Sequence, residues 1–181
     1  MSYAGELGWE LHAPMAAIKP IYDALHAADP DLKDTGSFAM NVMRMEKGFK
    51  GAGELTNEVT LPEADVMRFV KPEKDFFGKS ASLTPAPRWL CAYLEIEPDG
   101  ITDGHGGEAV LLNDAPVGST SSVAYSPTCG RILAFAYLKP HAAQPGTDLQ
   151  VMIHGQPRAA RILTEAAYDP QNLRPRCDVV K

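Results

Sequence analysis

The sequence predicts an α+β fold, and three observations carry that prediction: two stretches of helical apolar spacing before residue 84, six short β-rich runs after residue 85, and a proline-rich joint between them. Tyr3 to Leu11 sets Gly5 and Gly8 around Glu6 and resumes with Trp9-Glu10-Leu11, which reads as strand, tight turn and strand, with Trp9 assigned to packing. Pro14 opens a helix in which Met15, Ile18, Ile21, Tyr22 and Leu25 recur at helical spacing until Asp29-Pro30-Asp31 stops it. A second helix is predicted over Ser37 to Lys47, with Phe38, Val42 and Met45 near one face and Gly48 at its end, where a left-handed backbone is cheap only for glycine. Gly51 and Gly53 make the following stretch irregular, Phe76-Phe77-Gly78-Lys79-Ser80 reads as a short helix entrance, and Leu83-Thr84-Pro85-Ala86-Pro87 is the joint. The expected domains are therefore 1–84 and 85–181.

Beyond the joint, the runs are Trp89–Ile96, Ala109–Leu112, Pro116–Tyr125, Ile132–Leu138, Asp148–Ile153 and Gln156–Leu163, with hairpin-turn chemistry at Asn113-Asp114 and His154-Gly155. Six short strands cannot build two broad sheets with a deep core, whereas closing them into a small Greek-key β-barrel removes their exposed edges. The first part opens in a strand without evident partners among the residues that follow, so it reads as part of a larger α+β domain.

Composition narrows the function. Seventeen Lys and Arg against twenty-three Asp and Glu give a formal charge of −6, which leaves no basic surface for gripping a phosphate backbone and argues against nucleic acid. No apolar run approaches the roughly 20 residues that cross a bilayer, and the first residues lack a signal peptide's basic head, so no membrane partner and a cytoplasmic location are expected. Cys91, Cys129 and Cys177 are widely spaced and read as reduced thiols. The histidines His12, His26, His105, His141 and His154 show no metal-ligand spacing, so no metal is expected. Gly104-His105-Gly106-Gly107 precedes a β run rather than a helix and reads as a flexible barrel loop rather than a phosphate cradle.

Three stretches together resemble the glycine-cleavage T-protein (aminomethyltransferase) family. Tyr3-Ala4-Gly5-Glu6-Leu7-Gly8-Trp9-Glu10-Leu11 is similar to its Y-[TS]-G-E-x-G-[YFW]-E-[IL]; Val42-Met43-Arg44-Met45-Glu46-Lys47-Gly48 is similar to its S-L-R-[LI]-E-x-[GA]; and Val117-Gly118-Ser119-Thr120-Ser121-Ser122 with Ser126-Pro127-Thr128 resembles a run of its C-terminal barrel. Met40 stands where T-proteins proper have a further arginine, and Glu46-Lys47-Gly48-Phe49 is closer to the C-terminal, folate-binding halves of dimethylglycine and sarcosine dehydrogenases. The resemblance implies tetrahydrofolate as cofactor of the full-length protein and one-carbon transfer from a small amine of the glycine, sarcosine or dimethylglycine type. It also implies that an N-terminal portion or partner subunit completes the folate domain and contributes the catalytic aspartate. No catalytic residue is named in this chain, which alone is expected to bind folate weakly or not at all, to catalyse no transfer, and to self-associate. The alternative is a non-enzymatic interaction or regulatory β-barrel module.

Three residues are expected to bind the cofactor. A reduced pterin presents an amino group and a ring N–H side by side, which one carboxylate can accept together, and Glu6 follows a glycine that lets the backbone approach a flat ligand. Tyr3 offers a rigid ring to stack or hydrogen-bond. Arg44 sits in an apolar helical stretch and needs a carboxylate, from a ligand or from Glu46 or Glu54 within the protein. Arg174-Pro175-Arg176 is either a solvated tail or a contact for a folate's acidic glutamyl tail.

Overall fold

The computed structural model describes residues 2–83, 85–100 and 104–176; Cys177 and, within the joint, Thr84 lie outside them. Helix α1 spans Met15–Ala28 and α2 spans Ser37–Glu46, the two stretches that apolar spacing marked out. The α1 backbone stops where the Asp29 amide bonds the Leu25 carbonyl and the Asp29 side chain turns the chain through the Asp31 amide. At the end of α2, Gly48 takes φ +65° while its amide and that of Phe49 cap the Met45 and Arg44 carbonyls, so the predicted glycine stop is realised. The short helix α3, Lys79–Leu83, leads into the joint.

Strands β1 (Leu90–Ile96), β2 (Ala109–Leu112), β3 (Ala115–Ser126), β4 (Arg131–Leu138), β5 (Asp148–Ile153) and β6 (Gln156–Ile162) match the six expected runs to within two residues at each end. They close into one antiparallel barrel in the order β1-β4-β3-β2-β5-β6. Strands β2 to β4 follow one another as hairpins and β1 returns beside β4, which is Greek-key connectivity. Asn113 and Asp114 at φ 51° and 63°, and His154 and Gly155 at 48° and 77°, make the two-residue turns with both central φ positive that match strand twist. The glycine loop before β2 is tied rather than loose, since the Glu108 carboxylate accepts the His105 and Gly106 amides at 2.6 and 3.0 Å.

Alternation sorts the barrel residues onto two faces. Ala92, Leu94, Ile96, Ile132, Ala134, Ala136 and Leu138 fill the interior with Val110, Val151 and Ile153. Cys91, Leu133 and Phe135 point outward, where Met45 and Val42 of α2 cover them. Strand β4 is thus buried on both faces, which explains its unbroken apolar run.

Two expectations fail at the N-terminus. Residues 2–14 form bends and extended coil rather than a strand-turn-strand, because no described residue offers them a ladder partner. Trp9, expected to pack, is 73% exposed. Helix α1 likewise buries none of its residues, and Met15, Ile18, Tyr22 and Leu25 of its apolar stripe face solvent. Among the described residues, no helix is long and apolar enough to cross a membrane.

Candidate functional site

Between α2 and the barrel, the chain from residue 47 to residue 63 is irregular and is held by two carboxylates withdrawn from water. Glu63 accepts the Thr60 and Arg88 amides at 2.8 and 2.9 Å and the Arg88 Nε–H at 3.0 Å. The Arg88 guanidinium chiefly, with these amides, outweighs burial and holds the Glu63 carboxyl at about 2. Glu54, fully buried, accepts from Arg44 Nη1 at 2.9 Å, the Gly51 amide at 2.8 Å, Ser121 Oγ at 2.8 Å and Ser122 Oγ at 2.6 Å. Both serines reach one carboxylate because β3 carries a bulge: Thr120 pairs with Ala136 and Ser122 with Phe135, which leaves Ser121 as the extra residue.

Arg44 is thereby placed. Its guanidinium donates to Glu54, Asn41 Oδ1 at 2.8 Å, the Phe49 carbonyl at 2.8 Å and Ser122 Oγ at 3.0 Å, and its side chain is 3% exposed. Of the two partners the sequence left open, Glu54 is the one that pairs with it, while Glu46 accepts from Ser126 Oγ at 2.6 Å. The internal salt bridge occupies the group nominated for cofactor binding and fastens α2 to the barrel.

Glu6 lies in a different setting. Gly5 takes φ +77°, and a Cβ there would stand 2.3 Å from Lys47 Cγ, so the backbone lies directly on the lysine stem and only glycine fits both requirements. Lys47, buried with Glu46 and Arg44 at the end of α2, donates to the Asp169 carboxylate. Asp169 also accepts the Leu173 amide at 2.8 Å and the Arg174 amide at 3.0 Å. Burial alone would raise this carboxyl, but the bonds from Lys47 and the two amides outweigh it and hold it at about 2. The turn so formed carries Arg174 to Glu6, whose Oε2 accepts from Arg174 Nε at 3.0 Å. Glu6 Oε1 has no hydrogen-bond partner among the described residues, and the side chain is 28% exposed. Tyr3 is 53% exposed.

The structure therefore brings Glu6 together with Arg174, Lys47 and Asp169, and sends Arg44 into a separate buried network. Asp169 and Lys47 escaped the sequence reading because they are 122 positions apart, beyond any local pattern. Arg174 was visible only as one of two tail arginines, and its partner could not be read from spacing.

Two family models match the chain: "GCVT N-terminal domain" over residues 1–74 and "Glycine cleavage T-protein C-terminal barrel domain" over residues 91–169. The human mitochondrial dimethylglycine dehydrogenase is 35% identical over 173 residues, covering 91% of this chain and 20% of that protein. An aminomethyltransferase of Cutibacterium acnes is 34% identical over 161 residues, covering 85% of this chain and 43% of that protein. In three dimensions the chain resembles the glycine cleavage system aminomethyltransferase T of Bartonella henselae, with a TM-score of 0.81 at 21% identity, over 93% of this chain and 48% of that one. The chain spans about one fifth of the length of the dimethylglycine dehydrogenases it matches.

Proposed function

Because this chain belongs to the glycine-cleavage T-protein family, we propose that it is the C-terminal part of a tetrahydrofolate-dependent, aminomethyltransferase-like enzyme that takes a one-carbon unit from a glycine-, sarcosine- or dimethylglycine-type amine. The observation that carries the reading is the Glu6 carboxylate, raised on a glycine turn with its Oε1 without a hydrogen-bond partner among the described residues. An ionised carboxylate has about four lone-pair positions, so Arg174 on one of them leaves room for the paired N–H donors of a reduced pterin. The carboxylate acceptor fits the group. Bound there, tetrahydrofolate would supply the nitrogen that accepts the one-carbon unit. The chain's own part is recognition: Glu6 accepts the pterin N–H pair, Tyr3 lies three positions before it with its ring free to cover a flat ligand, and Arg44 keeps α2 and the Gly5 support seated on the barrel. No residue gathered here is assigned the proton chemistry at the reacting nitrogen, which the reading gives to the N-terminal portion or partner subunit.

Titrating tetrahydrofolate into the 181-residue chain and its Glu6→Gln variant by NMR tests the reading. Weak binding is expected, with a loss of about 2 kcal/mol, roughly thirtyfold, on removing the charge. Equal affinities would overturn it.

A second reading, a docking module without catalysis, is favoured by one observation, the solvent-facing apolar stripe of α1. A chain whose α1 surface binds a protein partner while Glu6→Gln leaves every folate titration unchanged would support it instead.

A further inference from the structure

Residues 2–14 have no ladder partner among the described residues, yet Gly5 and Glu6 are held in one place by groups that lie far away in sequence. We propose that Asp169 and Arg174 are positioning residues for Glu6, so that the segment after β6 forms a clasp which sets the carboxylate's orientation.

The clasp is built in three steps. The Tyr168 amide bonds the Glu46 carbonyl at 2.9 Å, which anchors the returning chain at the end of α2. Asp169 then gathers Lys47 and the amides of Leu173 and Arg174, closing a turn whose own residues Asp169 and Asn172 take φ 48° and 54°. Lys47 is held at its ammonium by this contact, and its stem is the surface on which Gly5 rests. The same turn presents Arg174 Nε to Glu6 Oε2. One carboxylate on the tail therefore fixes both the floor beneath the Glu6 backbone and the cation that orients the Glu6 side chain. Neither residue needs to touch a ligand. A glutamate that must be immobilised at binding forfeits affinity, and one already held does not.

The proposal rests on the folate reading only for its ligand arm; the other arm needs no ligand. Amide hydrogen exchange of residues 4–8 is measured in the full chain and in Arg174→Ala, Arg174→Lys and Asp169→Asn, with barrel amides as the internal check of folding. We expect Arg174→Ala to speed exchange of the Gly5 and Glu6 amides about two- to fivefold, the scale of an exposed ion pair. Asp169→Asn should do more, and Arg174→Lys should restore part of the protection while barrel amides stay protected. In the ligand arm, Arg174→Ala should weaken tetrahydrofolate about three- to tenfold, and should have no further effect in a Glu6→Gln background. If Glu6→Gln alone binds as wild type, the folate reading fails and the exchange arm still decides the clasp. If exchange at residues 4–8 is unchanged in Asp169→Asn and Arg174→Ala, the clasp is wrong whatever folate does.

Discussion

Replacing Glu54 by alanine should be among the most damaging single changes in this chain. The substitution strips four hydrogen bonds at once and leaves the Arg44 guanidinium, itself 3% exposed, facing Asn41, the Phe49 carbonyl and Ser122 with no anion. A buried charge deprived of its counter-ion costs about 3–5 kcal/mol, against a total stability of about 5–15 kcal/mol for a domain. With a urea m-value of about 2 kcal/mol/M, the unfolding midpoint should fall by roughly 2 M. The double replacement Arg44→Met with Glu54→Leu removes both charges and should lose much less than the two single changes together, because most of each single loss is the stranded partner. Urea unfolding followed by far-UV circular dichroism measures both. A loss below about 1 kcal/mol for Glu54→Ala, or additive losses in the double variant, would refute the assignment of this network as the fastening of α2 to the barrel.

Three other outcomes are expected. The Glu63 carboxyl is held at about 2 against an ordinary value of 4.5, so its stabilisation is fully present above 4.5 and is lost as pH falls toward 2. Because Arg88 is largely exposed, that contribution is about 1–2 kcal/mol, and urea midpoints of wild type and Glu63→Gln should converge as pH falls through this window. The apolar stripe of α1 should make the chain self-associate with rising concentration, and sedimentation of Ile18→Glu should show more monomer; a wild-type monomer at every concentration would count against this. Limited proteolysis should cut first between Leu83 and Pro87, separating the two proposed units, and an uncut joint with cleavage inside the barrel would contradict the boundary.

The barrel was legible because each of its strands is bounded by local chemistry. Asn113-Asp114 and His154-Gly155 announce turns without reference to anything distant, and the interior residues of β1, β5 and β6 alternate with outward ones. Helix α1 was legible for the same reason, since its spacing and its Asp29-Pro30-Asp31 stop are written in consecutive residues. The N-terminal strand was misread because a strand is a property of a pair, and Gly5 and Gly8 around Glu6 with Trp9-Glu10-Leu11 after them say nothing about whether a neighbour exists. At the site, the glycine turn exposed Glu6 to notice, and helical burial exposed Arg44. What the sequence withheld were contacts closed across the whole chain, such as Arg174 with Glu6, 168 positions apart.

The extra residue in β3 gives the molecule a separable joint between its halves. On either side of Ser121 the alternation is regular: Thr120 turns inward opposite Ala136, Ser122 outward opposite Phe135, and Val123 inward again. Excising Ser121 would therefore leave every neighbouring side chain on its present face and let the ladder close without a defect. What vanishes is one hydroxyl at Glu54 and the local bend that brings the other one to it. The barrel can spare this residue, whereas the grip on α2 depends on it, so a change that makes the sheet more regular would loosen the coupling between the helical segment and its base. The imperfection is the hinge pin of the assembly.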